Sequence, residues 1–441
     1  MEMNDCGRFA PLPGQRVAVV GSGISGLATA WLLRKHYRVT LFEADERPGG
    51  HSHTVTVERE GRAAPVDTGF LVFNRRTYPE LCGLFEHLGV DSVASEMSFS
   101  VSLRDPAIEW AGTSLGTVFG QRSNLLRPTF WRMLGDILRF NRETQALAPQ
   151  SPWLSAPLGD YLAAHGYSTA FRDWYLLPMA AAIWSCPTGH MAAYPLGTFV
   201  RFCANHGLLQ IMDRPQWLTV RGGSRRYVTR MLLDLPDVRL GEPVHTLLRA
   251  PGHVVLGTPY SRETFDAVVL ACHSDQALRL LGEGASAEER AVLGAVRYQP
   301  NTAWLHTDPG LLPRRRRLWS AWNYLADAGA PGDQPVSVSY LINRLQPLPF
   351  EAPVVVSLNP PRPPAEDHVI RRIEYAHPVF DGPAIAAQGR LDDLQGSGRT
   401  WFAGAWSGFG FHEDGLRSAL AVALRFGVPA PWHGVAEPVA A

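Results

Sequence analysis

An apolar strand that breaks into Gly-x-Gly-x-x-Gly and runs on as a helix leaves a chain few folds to choose from. Residues Val17 to Val20 read as such a strand and Gly21-Ser22-Gly23-Ile24-Ser25-Gly26 as the turn. The spacing of Leu27, Ala30, Trp31 and Leu33 reads as the helix. A second strand, Arg38 to Phe42, ends on Glu43 and leads into Arg47-Pro48-Gly49-Gly50. In this pattern the first Gly makes a tight turn, the second lets backbone approach a pyrophosphate, and the third lets helix pack on strand. The pyrophosphate rests on the unpaired N–H groups and positive dipole end of the helix that begins near Ile24. Glu43, about 20 residues on, stands where a carboxylate accepts hydrogen bonds from an adenosine ribose. The flanking strand, amphipathic helix and acid together outweigh an ordinary structural turn.

At 441 residues the chain exceeds one ordinary core, which predicts two domains. Its 46% hydrophobic and 19% charged content fits a soluble globular protein, and a formal net charge of zero gives no sign of a nucleic-acid partner. Cys6, Cys82, Cys186, Cys203 and Cys272 are scattered and never form a CxxC pair. That spacing suggests neither a disulfide framework nor a metal site, and reduced thiols in a cytoplasmic protein are the simple reading. No signal peptide is visible in Met1 to Gln15, and the longest apolar run, Leu176 to Trp184, is too short to span a bilayer. Peripheral membrane contact stays open. The run Arg314 to Arg317 reads most simply as a solvated loop, with anionic-lipid contact the rarer use.

Along the chain, Thr54 to Val57 alternates as a strand, and Val66 to Phe70 returns as a second strand or tight loop. A helix from Thr77 carries Leu81, Leu84, Phe85 and Leu88 on one face and stops at Gly89. From Pro128 to Gly207 long helical stretches are rich in aromatics: Phe130, Trp131, Leu134, Ile137, Leu138 and Phe140, then Phe171, Trp174 and Tyr175, then Phe199 and Phe202. They suit either the core of a helical insertion or an aromatic-lined substrate tunnel; periodicity does not separate the two. Trp217 to Val220, the helix from Arg225 and the apolar strand Phe265 to Cys272 return to nucleotide-domain texture. Asn301–Thr307, Trp319–Tyr324, Pro335–Tyr340, Val354–Leu358 and Val369–Tyr375 read as an antiparallel sheet outside that domain. Thr400 to Gly404 adds a short strand before a helix from about Asp414 to Phe426. The expected division is a nucleotide domain in three pieces, 14–75, 215–300 and 390–428. A substrate domain is inserted as 76–214, mainly helical, and as 301–389, mainly sheet, with a tail at 429–441.

Five pieces in this order resemble the flavin-containing amine oxidase superfamily, which includes monoamine oxidases, protoporphyrinogen oxidases, phytoene desaturases and a fatty-acid double-bond isomerase. They are Gly21 to Gly26 with Glu43, Arg47 to Gly50, Asp67-Thr68-Gly69, Arg221-Gly222-Gly223-Ser224, and Phe402-Ala403-Gly404 with the helix from Gly415. Within it, Gly69 to Asn74 and Gly410 to Gly415 look most like a group of bacterial predicted FAD/NAD-binding proteins. The resemblance implies a Rossmann-like α/β domain that binds FAD, with an inserted α+β substrate domain. It places Glu43 and Ala44 at the AMP ribose, and Arg47, Gly49, Gly50 and His51 along the diphosphate and ribityl chain. Thr68, Gly69, Phe70 and Ala271 join the cofactor wall, and Val244 offers backbone to the adenine. Gly404, Glu413, Gly415 and Leu416 would approach the pyrophosphate and the flavin's pyrimidine edge. Many relatives carry an acid after the Gly corresponding to Gly404, where this chain has Ala405, and no Cys lies between Gly396 and Leu420. The resemblance therefore implies non-covalent FAD.

No second dinucleotide fingerprint is found: Gly282-Glu283-Gly284 lacks the third Gly and the strand–helix context. Reduced flavin must then pass its electrons to oxygen or another acceptor, or return them to the same substrate. Lys35 is the only lysine and sits at the end of the first helix, so the lysine-held water that amine oxidation in the family often uses is absent. No acid stands out in the aromatic insertion to hold an amine. A hydrophobic fatty-acyl or polyene-like substrate, desaturated, saturated or isomerised by hydride transfer at flavin N5, is the expected reading. The alternatives are an amine oxidase that makes an imine and hydrogen peroxide, and a flavin-bound accessory protein of a lipid-modifying system. Candidate catalytic residues are His412, Glu413 and His51. A His can relay a proton near neutral pH or serve as a hydrogen-bonding post, while Glu413 has helix capping as its simpler role. His273 reads as structural or as an adenosine neighbour. Hydrolase chemistry has no support, since no Gly-x-Ser-x-Gly elbow is present.

Overall fold

The computed structural model describes residues 11–185, 187–209, 215–326 and 337–433. Its first layer is a five-stranded parallel sheet of β1 (Arg16–Val20), β2 (Arg38–Phe42), β3 (Val238–Arg239), β4 (Ala267–Leu270) and β5 (Thr400–Phe402). The spatial order is β3-β2-β1-β4-β5, and every pairing is parallel. β1 and β4 are almost wholly apolar because helices and sheets cover both their faces. Helix α1 (Ile24–Leu33) is buried at every position. Gly26 permits this, since a Cβ there would lie 1.8 Å from the Gly21 carbonyl oxygen.

Four segments far apart in sequence thus build one sheet, and the expected strands at 16–20, 38–42, 267–270 and 400–402 are all in it. The strand Trp217–Val220 is a correction: it pairs antiparallel with Phe73–Asn74 and Ser92–Ser95 in a small separate sheet. Between it and β4, β3, two residues long, joins the parallel sheet.

A seven-stranded sheet forms the second layer. From one edge to the other it runs Val369–Val379, Arg297–His306, Val355–Leu358, Val338–Leu341, Trp322–Ala326, Phe99–Leu103 and Ile108–Ala111. The expected antiparallel sheet is there, with two differences. It is extended by a hairpin from near residue 100, and the seam between Trp322–Ala326 and Phe99–Leu103 is parallel. Part of the expected strand Pro335–Tyr340 lies outside the described residues.

The helices between 115 and 209 pack into their own core around Phe130, Phe140, Phe171 and Phe199. α2 (Pro79–Leu88) buries Leu81, Leu84 and Phe85 and ends on Gly89 in the left-handed region, where only glycine is unstrained. α3 (Pro128–Gln145) buries Phe130, Met133 and Phe140, whereas Trp131 and Leu138, expected in the core or on a tunnel wall, stand 50% and 56% exposed and off the cavity. The last helix, α4 (His412–Arg425), begins two residues before the expected Asp414 and packs along α1. The arginine run is no free loop. Arg315 pairs with Glu109, Arg317 donates to the Gly120 carbonyl, and Arg316 lies over Trp319. Cys82, Cys203 and Cys272 are free thiols; Cys6 and Cys186 lie outside the described residues. No described helix is long and apolar enough to cross a membrane, and no described group of His, Cys, Asp and Glu could hold a metal.

Candidate active site

A cavity of about 1790 Å³ opens at the carboxyl ends of β1, β2, β4 and β5 and runs between the two sheets to the helical insertion. That is where the order of a doubly wound sheet switches and its connections leave a crevice. Gly21, Gly23, Ile24 and Ser25 form its floor. α1 has no side-chain cap, so its first N–H groups open on the cavity as a ready anion site. Gly21 is bound to the Phe42 carbonyl at 2.8 Å, and its φ of +103° is one that side chains rarely adopt. A Cβ on Gly23 would meet no protein atom within 4 Å, so the space above it belongs to the cavity.

Glu43 stands beside this floor. Its Oε2 accepts from the Ser22 N–H at 2.8 Å and the Ser22 hydroxyl at 2.5 Å, and its Oε1 accepts from the Asp45 N–H at 3.0 Å. Those bonds fix the carboxylate at the cavity edge and leave lone pairs toward it. The Ser22 hydroxyl and carbonyl both accept from the Gly49 N–H at 3.1 Å, which ties the Arg47–Gly50 segment across the turn. Two motifs separate in sequence meet at buried Asp67. Its carboxylate accepts from the Ser224 N–H and hydroxyl, from Thr54 Oγ1 at 2.5 Å and from Gln346 Nε2 at 2.8 Å.

Of the residues expected at the cofactor, Gly21, Gly23, Ile24, Ser25, Glu43, Ala44, Arg47, Gly50, His51, Thr68, Gly69, Phe70, Val244, Ala271 and Gly404 line the cavity. Gly26, Gly49, Glu413, Gly415 and Leu416 do not. Each of these five has another task. Gly26 admits α1 to β1. A Cβ on Gly49 would lie 2.9 Å from the Ser52 carbonyl oxygen. A Cβ on Gly415 would lie 2.7 Å from Ile24 Cγ2 and 2.9 Å from Ser25 Oγ, so its glycine lets α4 close on α1. Leu416 is fully buried core. Glu413 is the clearest correction: its carboxylate accepts from the Glu80 and Leu81 N–H groups, both at 3.0 Å. It therefore caps the start of α2, a different helix from its own, and takes Arg417 at 3.1 Å.

His412 lines the cavity but is held on the protein side. Its ring stacks on Phe70 at 3.8 Å between centroids, and its Nε2 bonds Ser52 Oγ at 2.8 Å and Tyr227 Oη at 3.2 Å. Burial pushes its pKa down to about 3, so it is neutral at neutral pH. His51 differs. Its Nε2 is buried without a protein partner, while its ring stacks on Tyr375 at 4.8 Å and lies 5.2 Å from His377. Burial, His377, His273 and His412 hold its pKa well below the ordinary value. An unpartnered buried ring nitrogen beside an uncapped helix start and a glycine floor fits a bound dinucleotide cofactor that supplies the missing polar partners. His273 also lines the cavity, stacked on Tyr298 at 4.2 Å.

Sequence reasoning missed Tyr375 and His377, which the edge strand Val369–Val379 brings over His51, and also Ser52 and Tyr227. Ser52 and Tyr227 carry no local signal, since their partners are 175 or more residues away. The far half of the cavity is aromatic and aliphatic: Trp110, Tyr175, Met179, Ile183, Trp184 and Phe202 line it. Tyr175 reaches it from a wide helical turn, Arg172–Leu176. Pro178 has no N–H for the Trp174 carbonyl four residues back, which accepts instead from Trp110 Nε1 at 3.2 Å.

A family model described as flavin containing amine oxidoreductase matches residues 24–302. The carotenoid phi-ring synthase of Chlorobaculum tepidum is 27% identical over 168 residues, 36% of this chain, and the match spans only 23% of that relative's length. Among solved structures, a CLA-producing fatty acid isomerase from P. acnes superposes with a TM-score of 0.67 at 16% identity, covering 93% of this chain and 98% of that one. Cyclohexylamine oxidase from Brevibacterium oxydans IH-35A gives 0.66 at 16% identity, covering 94% and 100%. At such identities the structural likeness speaks for the fold alone.

Proposed function

Because the chain belongs to the flavin-containing amine oxidoreductases and is an FAD-dependent oxidoreductase, we propose that it acts on a hydrophobic substrate, fatty-acyl or polyene-like, by desaturation, saturation or double-bond isomerisation. In this reading FAD lies non-covalently along the glycine floor, with Glu43 at its adenosine ribose and the α1 N-terminus at its pyrophosphate. Bound FAD supplies two-electron redox chemistry at its ring system. The strands and helices of the floor form the cofactor domain, in the pieces 14–75, 215–300 and 390–428, and the remaining insertions form the substrate domain.

The observation that carries the substrate class is the charge state of the aromatic half. Glu96, the carboxylate nearest to it in sequence on the cavity wall, is taken by Arg344 at 2.7 and 2.9 Å, and Glu374 is taken by Arg372 at 2.8 Å. An amine cation entering there finds no free described carboxylate among Trp110, Tyr175, Met179, Ile183 and Trp184, and an apolar chain finds a dry wall. Lys35 is exposed and off the cavity wall. His51, with its unpartnered Nε2, is the side chain placed to donate or accept at the reacting end, while neutral His412 serves as a hydrogen-bonded post for Phe70 and the wall.

Anaerobic titration of the FAD-loaded protein with extracted membrane lipids tests this. The expected result is flavin bleaching, or a shift of double bonds in the recovered lipid. Peroxide release on an amine panel, with lipids inert, would establish the amine oxidase instead. Inertness toward both classes would leave the accessory role.

A further inference from the structure

An apolar surface lies beside the cavity mouth. Gly112 and Thr113 are exposed and also line the cavity, directly after the edge strand Ile108–Ala111 of the large sheet. The next thirty residues hold five of the twelve large hydrophobic side chains that the described protein exposes: Leu115 at 79%, Leu125 at 46%, Leu126 at 87%, Trp131 at 50% and Leu138 at 56%. These side chains cluster. Phe119 follows Leu115 by one helical turn and packs on Trp131 at 5.0 Å, and Trp131 Nε1 donates to the Leu125 carbonyl at 3.0 Å. Leu138 stands two turns further along the same face of α3.

The exposed charges within this stretch have one sign. From Gly112 to Arg142 the chain carries five arginines and one acid, Asp136. That acid is buried, where it accepts from the Ser168 N–H at 3.0 Å and faces Arg139. Arg122, Arg132 and Arg142 are exposed, and no exposed carboxylate interrupts them. Exposed Leu and Trp interspersed along this stretch with exposed Arg match the chemistry of a membrane interface with anionic headgroups: the rings and leucines enter the acyl boundary and the guanidiniums meet phosphate.

We propose that this face docks the protein on an anionic lipid bilayer and sets the cavity mouth at Gly112–Thr113 against it. Docking itself follows from the patch; the further step, that a lipid passes from the bilayer into the cavity, rests on the substrate reading above. An amphipathic chain would then travel from an apolar acyl layer to an apolar wall without crossing water, which removes the largest desolvation barrier to its capture.

The test is co-sedimentation of the FAD-loaded protein with phosphatidylcholine vesicles with and without phosphatidylglycerol, at low and high salt. Wild type should bind the anionic vesicles, and salt should weaken that binding. The double variant Leu115→Glu/Leu126→Glu and, separately, Arg122→Gln/Arg132→Gln should each lose at least about tenfold in vesicle affinity, with melting temperature and flavin content unchanged. All four side chains are exposed, so folding is not at stake. Failure of wild type to bind anionic vesicles, or undiminished binding by both double variants, overturns the proposal. So does light scattering that shows a dimer dissociated by Leu126→Glu, since a second copy then covers the patch. Vesicle binding is read without turnover, so lipids that dock the protein but leave its flavin unbleached would sink only the substrate reading.

Discussion

The wall built by β1 and α1 and the wall built by the aromatic helices face one cavity, yet they are made differently. On the first, positions are fixed by backbone: Gly26 because β1 and α1 nearly touch there, Gly23 because the space above it must stay open, Gly21 because its φ excludes side chains. On the second, what matters is bulk and apolarity, and many residues supply both. Phe171 and Phe199 are wholly buried in the helical core, while Tyr175 and Phe202, close by in sequence, line the cavity. A backbone-made wall tolerates almost no change of residue type. A side-chain-made wall tolerates many and can change its ligand without changing its fold.

The largest expected effect sets the two inner glycines of the first wall against each other. Gly26→Val drives a side chain into the Gly21 carbonyl and should leave no soluble folded protein. The Cβ that Gly23→Val adds meets no protein atom within 4 Å, so this variant should fold, melt near wild type and emerge colourless, with FAD affinity reduced roughly a hundredfold or more. A yellow Gly23→Val protein would break the assignment of that floor to the pyrophosphate. On the second wall the expected split is between stability and turnover. Phe199→Ala should cost about 3–5 kcal/mol in denaturant unfolding. Ile183→Trp fills space in the cavity; it should keep flavin and stability and lose roughly tenfold in lipid turnover. Equal turnover in Ile183→Trp and wild type would show that substrate sits elsewhere.

The smallest effect concerns pH. Burial holds His53, His206 and His377 at about 4 and His412 at about 3, against 6.5 for the free side chain. Each is neutral when folded and takes up a proton on unfolding between those values, so stability is lost as pH falls through that window. Melting temperature should drop by several degrees between about pH 6.5 and pH 4.5. A flat profile there would mean that these imidazoles are less buried than they stand. Because His412 is neutral across this range, its titration should leave no inflection near pH 6.5 in the turnover profile.

What could be read from the residues follows the same divide. Strands at 16–20 and 38–42, the turn between them and Glu43 obey rules of local spacing, and those rules were enough to locate them. The role of Glu413 was not local. The helix it caps begins more than 300 residues earlier, at Pro79, and nothing near Glu413 names that partner. Gly415 reads as a cofactor approach until Ile24 is seen 2.7 Å from where its Cβ would be. Trp131 and Leu138 fit a helical period, but period alone does not say which stripe faces inward. The interior side is decided by Phe130, Met133 and Phe140, which find partners in the helical core. Tyr375 and His377 come to the site only because their strand pairs along Arg297–His306 at the sheet edge, a register set by long-range hydrogen bonds.

The parallel sheet carries a consequence for how the protein is made. β1 leaves the ribosome first, but its neighbour β4 follows about 250 residues later, and β5 only at residues 400–402. The nucleotide turn at Gly21 leans on Ala271, and Asp67 waits for Ser224 and Gln346. At ordinary elongation rates β1, with only β2 beside it, therefore spends some tens of seconds with its β4 edge unpaired. Such a nascent chain is a natural client for a chaperone that shields exposed strands, and the Gly21 turn gains its support only once β4 and Ala271 have been made.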